Sequence, residues 1–289
     1  MKRQFQLFDF VLAVVFVVLT ITFIYPFWQL IVTSFATEKQ VTSADLMLYP
    51  KEWTLDAYKT VFRSSSVLVA YRNTILRTVL GTTISVLVTF AGAYSLSKPS
   101  LPLGKLMIKM ITVTMFFSGG LIPTYLLVSG LGLRNSFWVL ILPCTTSAMN
   151  VILTRNFLYM LPPDLEESAE IDGAGVFKTL VLVVMPLSMP IIAVLMLYSA
   201  VAHWNAWFDA YIYLSGDKNV VLQLLLRRIL FEIELTNSTY FDTIAQNKMP
   251  PSATVTAATI VITIGPIIAV YPFVQKYFVK GIMLGAIKG

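Results

Sequence analysis

The stretch Pro162–Pro186, PPDLEESAEIDGAGVFKTLVLVVMP, decides how this sequence is read. Charged residues are 12% of the chain, yet Asp164, Glu166, Glu167, Glu170 and Asp172 fall within nine positions, and long apolar sequence resumes at Thr179. Pro-Pro-Asp is a helix-start signal, with Asp164 expected as N-cap and Glu167 three residues on. Acidic residues in the first turn also suit the positive end of a helix. The helix is expected from Leu165 to Asp172, with Gly173 taking the left-handed conformation that ends it. Val176, Phe177 and Leu180 then begin a second short helix. Leu165, Ser168, Ala169 and Asp172 share one helical face, where small Ser168 and Ala169 permit close approach and Leu165 is an apolar anchor. Glu166, Glu167 and Glu170 offer carboxylates to Arg or Lys of a partner. The residues alone leave two readings open, a capped helix facing water and a docking helix.

Outward from this stretch the chain is greasy: 57% of its 289 residues are hydrophobic and mean hydropathy is +0.76. A bilayer-spanning helix needs about 20 mainly apolar residues. Six runs lack Asp, Glu, Lys and Arg: Phe10–Thr37, Thr78–Ser97, Met110–Leu133, Asn135–Thr154, Thr179–Phe208 and Met249–Gln275. Backbone groups in lipid must be satisfied within the segment, and the runs are too long for barrel strands. The expected fold is an all-α integral membrane protein, one domain over 1–289. Its six transmembrane helices are expected near 10–34, 74–97, 108–130, 136–155, 183–208 and 252–275. The first run is about twice the length of a signal-peptide core and lacks a cleavage pattern, so it reads as a retained anchor.

Short-loop basic residues set orientation. Lys2, Arg3, Lys98, Lys105, Lys109, Lys276, Lys280 and Lys288 lie on one side in this scheme, and only Arg134 on the other. Both termini and the loop 156–182 are therefore expected in the cytoplasm, with segments 36–72 and 210–250 outside. The net charge of +6 follows largely from topology and calls for no nucleic-acid partner. A single cysteine, Cys144, can form neither an internal disulfide nor a zinc site and is expected to be packed. Asn-Ser-Thr at 237–239 matches a glycosylation acceptor, a short and unspecific pattern.

The energy source is the next question. The six runs contain no acidic or basic residue, although ion-coupled carriers place such groups inside their spans. His203, the single histidine, is expected to be packed or interfacial rather than a proton relay. No convincing internal repeat supports a secondary carrier. No clustered Asp, His, Ser or Glu supports a membrane-embedded enzyme. The phosphate-binding pattern G-x-x-x-x-G-K-[ST] is absent from the sequence, so this chain is not expected to bind ATP by itself, and the work must come from elsewhere.

A second candidate region is HWNAWFDAYIYL at 203–214. Trp204, Trp207, Phe208 and Tyr211 are expected on one helical face, with Asn205 and Asp209 as an adjacent polar pair. Aromatic rings stack on sugars and amides bond their hydroxyls, so the group would suit a glycan path. An interfacial aromatic belt with subunit packing explains the same residues.

The acidic stretch resembles the cytoplasmic EAA loop of ABC importer permeases. Glu167, Ala169, Asp172, Gly173, Ala174 and Pro186 match the motif at its spacing, and Ser168 replaces its first alanine, small for small. The tail QKYFVKGIMLGAIKG resembles the ending of MalG-like subunits. The 203–214 stretch is similar to that of carbohydrate importers of the oligosaccharide and polysaccharide branch, which includes the alginate importer permease. The resemblance covers essentially the whole chain. It implies a type I importer (MetI-like) permease fold in a bacterial cytoplasmic membrane, working as a transport subunit rather than an enzyme. It also implies a second homologous permease, two cytoplasmic ABC ATPases that bind ATP and Mg, an extracellular solute-binding protein and a glycan substrate. No cofactor is expected on this chain. Leu165, Glu166, Glu167, Ser168, Ala169, Glu170, Asp172, Gly173 and Ala174 would then form the coupling helix that docks on the ATPase. A non-sugar solute is the nearest alternative cargo, and an ion-coupled carrier a more distant reading.

Overall fold

The computed structural model describes residues 7–42, 47–216, 218–237 and 252–286, of which 7, 232–237 and 270–286 are described by backbone alone. Lys2, Arg3, Lys288 and the acceptor residues Ser238 and Thr239 lie outside the described residues. The described elements are helices, without a strand. In chain order they are α1 (Leu7–Phe35), α2 (Glu38–Thr42), α3 (Asp56–Arg63), α4 (Ser65–Ser97), α5 (Gly104–Phe116), α6 (Leu121–Gly130) and α7 (Ala148–Tyr159). There follow α8 (Asp164–Ile171), α9 (Val176–Thr179), α10 (Met185–Leu187), α11 (Met189–Asn205), α12 (Phe208–Tyr213), α13 (Leu222–Asn237) and α14 (Ala253–Ala286).

Two helices, Phe8–Phe35 and Ser65–Ser97, are each long and apolar enough to cross a membrane alone. Three bent pairs reach that length jointly, which gives up to five, and Ala253–Ala269 is a shorter apolar helix. The bends fall within the apolar runs, and each has a local cause. The run expected at 108–130 is broken between α5 and α6 at 117°. Phe117 is extended and Gly120 has φ +84°, a conformation that favours glycine. At ~1.5 Å per residue neither piece covers a ~30 Å apolar layer alone. The run expected at 136–155 opens as two 3-10 turns, Phe137–Leu140 and Leu142–Cys144, bent 49° from α7. Pro143 removes a donor there, and Cys144 is exposed rather than packed. The run expected at 183–208 starts earlier, at α9, passes through a π-helical turn at Leu180–Val184, and bends by 82° at Ser188. Pro190, two residues on, has no N–H to return to the Pro186 carbonyl.

The chain divides into two compact units. The first comprises residues 1–68 and 225–266. In it α1 presents an almost wholly exposed apolar surface. Its end is fixed by the following loop and by α3: Trp28 Nε1 donates to the Leu48 carbonyl at 2.8 Å, and Ser34 Oγ meets Tyr58 Oη of α3 at 2.8 Å. Ala57 and Val61 of α3 pack with Val67 and Ala258.

The second unit comprises residues 69–224 and 267–289. Its core joins Val86, Phe90, Ala93 and Tyr94 of α4 to Leu158 of α7 and to Val184, Ile191, Ile192 and Leu195. The α4 residues recur at i, i+4, i+7 and i+8, one stripe of a helix. Close packing of α4 on α11 also depends on Gly81. A methyl group there would lie 2.5 Å from Nε2 of His203, which is buried. His203 is thus a packed residue. Gly81→Ala is expected to lower the thermal unfolding temperature of the detergent-purified chain, at a cost of about 1–3 kcal/mol for overpacking. Gly92→Ala, whose methyl meets nothing within 4 Å, should leave that temperature unchanged or raise it.

Candidate functional site

Helix α8 begins one residue earlier than the capping pattern suggests. Pro163 is the N-cap residue, with φ −62° and ψ −31°, and Asp164 is already helical. Asp164 therefore makes no capping bond. Its carbonyl accepts from the Ser168 hydroxyl at 2.7 Å. The C-terminus ends as expected. Gly173 has φ +79°, its N–H donates to the Glu170 carbonyl at 3.0 Å, and that of Ala174 donates to Ala169 at 2.9 Å. This crossed pair is a Schellman motif, which satisfies carbonyls that a helix end would otherwise leave bare. Asp172 closes the last turn through its N–H to Ser168 O at 3.1 Å.

Most of α8 faces outward. Leu165, Glu167, Ser168, Glu170, Asp172 and Gly173 are exposed, and Ala169 and Ala174 are half-buried. Glu166 departs from the expected set of outward carboxylates. It pairs with Lys98, and its Oε2 accepts from Tyr94 Oη at 2.9 Å. Lys98 Nζ also sits 4.2 Å from the centre of the Tyr94 ring, an attractive cation–π placement. Arg155 of α7 donates through Nε to the Leu96 carbonyl at 3.2 Å. The C-terminal end of α4 is thus bonded to both α7 and α8.

The aromatic stretch does not form one helical face. Helix α11 ends at Asn205, Ala206 is extended, and α12 restarts at Phe208. Trp204 is buried and meets the Tyr71 ring edge-on at 6.2 Å. Phe208 and Tyr211 are exposed, and their rings lie 5.4 and 6.3 Å from that of Trp207. Asn205 and Asp209 are not a pair either. Asn205 accepts from Gln223 Nε2 at 3.4 Å, whereas Asp209 turns to Arg77.

Arg77 was missed because charge-free counting treats it as a flank of the run starting at Thr78. Helix α4 instead continues N-terminally to Ser65, and Arg77 is 1% exposed within it. Arg77 Nη1 donates to Asp209 Oδ1 and to the Ala206 carbonyl, both at 3.1 Å, and Nη2 bonds Asp209 Oδ2. One turn earlier Asn73 Nδ2 donates to the carbonyls of Lys218 at 3.1 Å and Val220 at 3.0 Å. Thr74 Oγ1 accepts from the Leu222 N–H at 2.8 Å. The signal was present in sequence as a polar stripe at i, i+1 and i+4. Asn73, Thr74 and Arg77 hold the segment 206–222, which includes α12, against α4.

Residues 64–284 match the family model described as binding-protein-dependent transport system inner membrane component. The chain belongs to this family. It is 42% identical over 266 residues to Protein LplC of Bacillus subtilis (strain 168), covering 92% of this chain and 90% of that protein. It is 36% identical over 284 residues to the polygalacturonan/rhamnogalacturonan transport system permease protein YtcP of the same organism, covering 98% and 99%. A chain in the crystal structure of a bacterial ABC transporter involved in the import of the acidic polysaccharide alginate matches with TM-score 0.87 at 31% identity, covering 96% and 99%. The resemblance to ABC importer permeases is thereby borne out, as is the all-α permease fold. The chain is a transport permease of a bacterial membrane that works with a binding protein.

Breaking a buried ion pair from one side costs about 3–5 kcal/mol, more than removing both partners. Arg77→Met should therefore lower the unfolding temperature of the purified chain sharply. The double variant Arg77→Met/Asp209→Leu should recover part of that loss; equal loss in both would contradict the pairing as described.

Proposed function

We propose that this chain is the membrane-spanning subunit of an ATP-driven importer for an oligosaccharide or polysaccharide. It forms the translocation path with a second, homologous permease. Two cytoplasmic ATPases bind ATP and Mg and supply the work, and an extracellular solute-binding protein delivers the glycan. The observation that carries the reading is α8: an exposed acidic helix, closed by a rigid turn at Gly173, leading directly into α9 and the bent helix α11. The named transport of polygalacturonan, rhamnogalacturonan and alginate by similar proteins supports a glycan cargo.

In this scheme the chain crosses the bacterial cytoplasmic membrane six times as one permease domain, with both termini and α8 in the cytoplasm. Leu165, Ser168 and Ala169 seat α8 in a groove of an ATPase, and Glu167 and Glu170 meet its basic residues. Asp172, Gly173 and Ala174 keep the turn rigid, so that movement of the ATPase passes into α9 and α11. Trp207, Phe208 and Tyr211, exposed or half-buried beyond the break at Ala206, offer ring faces to the sugar. Trp204 supports them from the buried side and Asn205 offers its amide.

The test is uptake of a labelled acidic oligosaccharide into proteoliposomes that hold both permeases and the ATPases, with binding protein supplied. A β-branched residue at φ near +80° is strongly disfavoured, by roughly 1–2 kcal/mol or more. Gly173→Val should therefore abolish uptake while membrane insertion persists, and Gly173→Asn, which tolerates this conformation, should retain most of it. Normal uptake by Gly173→Val would defeat the lever. Uptake that persists without any ATPase would favour an ion-coupled carrier.

A further inference from the structure

The side chain of Glu166 points away from the face on which α8 would meet an ATPase. Its carboxylate is shared between Lys98, just beyond α4, and the Tyr94 hydroxyl within α4. Lys98 is fixed in turn over the Tyr94 ring. Both side chains of the ion pair are more than half buried, at 31% and 23% exposed, so solvent weakens the bond only in part. Leu158 of α7 belongs to the same buried core as Tyr94, and Arg155 donates to the Leu96 carbonyl. The end of α4 is therefore held firmly, and α8 is attached to it through the Glu166 side chain while its main chain leads on to α11.

The far part of α4 carries the second anchorage. Arg77, Asn73 and Thr74 grip the segment 206–222. Tyr94 and Arg77 are separated by seventeen residues, about 25 Å of helix, most of the thickness of a hydrocarbon layer. One continuous helix, α4, thus links α8 at one end to the broken end of α11 at the other.

We infer that Glu166 is a positioning residue that ties the coupling helix to α4, so that α4 transmits the movement of α8 to the segment 206–222. This rests on the reading of α8 as the ATPase-docking helix. The stroke then enters the second unit by two routes, covalently through α9 to α11 and non-covalently through Glu166 to α4. Moving α8 without α4 would break the ion pair, so the two helices move together.

The experiment uses the complete reconstituted importer and measures ATPase capture, ATP hydrolysed and labelled oligosaccharide imported. Lys98→Met should keep ATPase capture and basal hydrolysis but lower the glycan imported per ATP roughly fivefold, the effect of losing one partly exposed ion pair. Glu166→Gln should lower that ratio similarly. Tyr94→Phe, which keeps the ring beneath Lys98, should lower it less. The exchanged pair Glu166→Lys/Lys98→Glu should restore most of the ratio, which a general folding defect would not allow. An unchanged ratio in Lys98→Met overturns the tether. Loss of ATPase capture in Glu166→Gln alone places Glu166 on the ATPase and overturns the tether while leaving the proposed function intact. Failure of the unaltered chain to capture any ATPase defeats both.

Discussion

A helix that stops frees carbonyl groups that need new donors, and the bond from Arg77 to the Ala206 carbonyl meets that need beyond the end of α11. The same guanidinium holds Asp209, so the charge required to satisfy the break is itself neutralised. Desolvating an Arg and a carboxylate is costly unless both find partners. Here the two costs are offset in one arrangement. Asn73 and Thr74 extend it to the backbone at 218–222. The irregular end of α11 exists because α4 presents these three side chains on one stripe, and Gly81 lets α11 approach closely enough to use them.

The local chemistry of α8 was legible where it depends on the chain itself. Gly173 ends the helix because only a left-handed residue permits the crossed bonds from Gly173 and Ala174. The start was misplaced by one residue because Pro163 adopts helical dihedrals and leaves Asp164 inside. Hydropathy located the apolar stretches but not their breaks. It counts side chains over a window, while the bends arise from single backbone positions such as Gly120, Pro143 and Ser188. Arg77 and Asp209 were hidden for a related reason: each sits just outside an uncharged run, yet they meet across 132 residues of sequence. Glu166 looked equivalent to its neighbours because helical spacing alone does not say that Lys98 and Tyr94 will arrive beside it.

The outcome divides the acidic helix by role. Glu167 and Glu170 remain at the surface, whereas Glu166 is spent on the chain's own framework. As the proposed coupling element α8 would need both properties, since a surface that docks but is loosely attached would move without displacing anything else. The Schellman turn stiffens its continuation into α9, and the Lys98 pair stiffens its attachment to α4.

The notch at Gly81 limits how α11 can travel along α4. The His203 ring occupies the space that any other side chain would fill. A slide by one helical turn, about 5.4 Å, would bring the ring against Arg77 or Ser85, both buried and larger than glycine. Longitudinal shear between the two helices is therefore blocked in either direction.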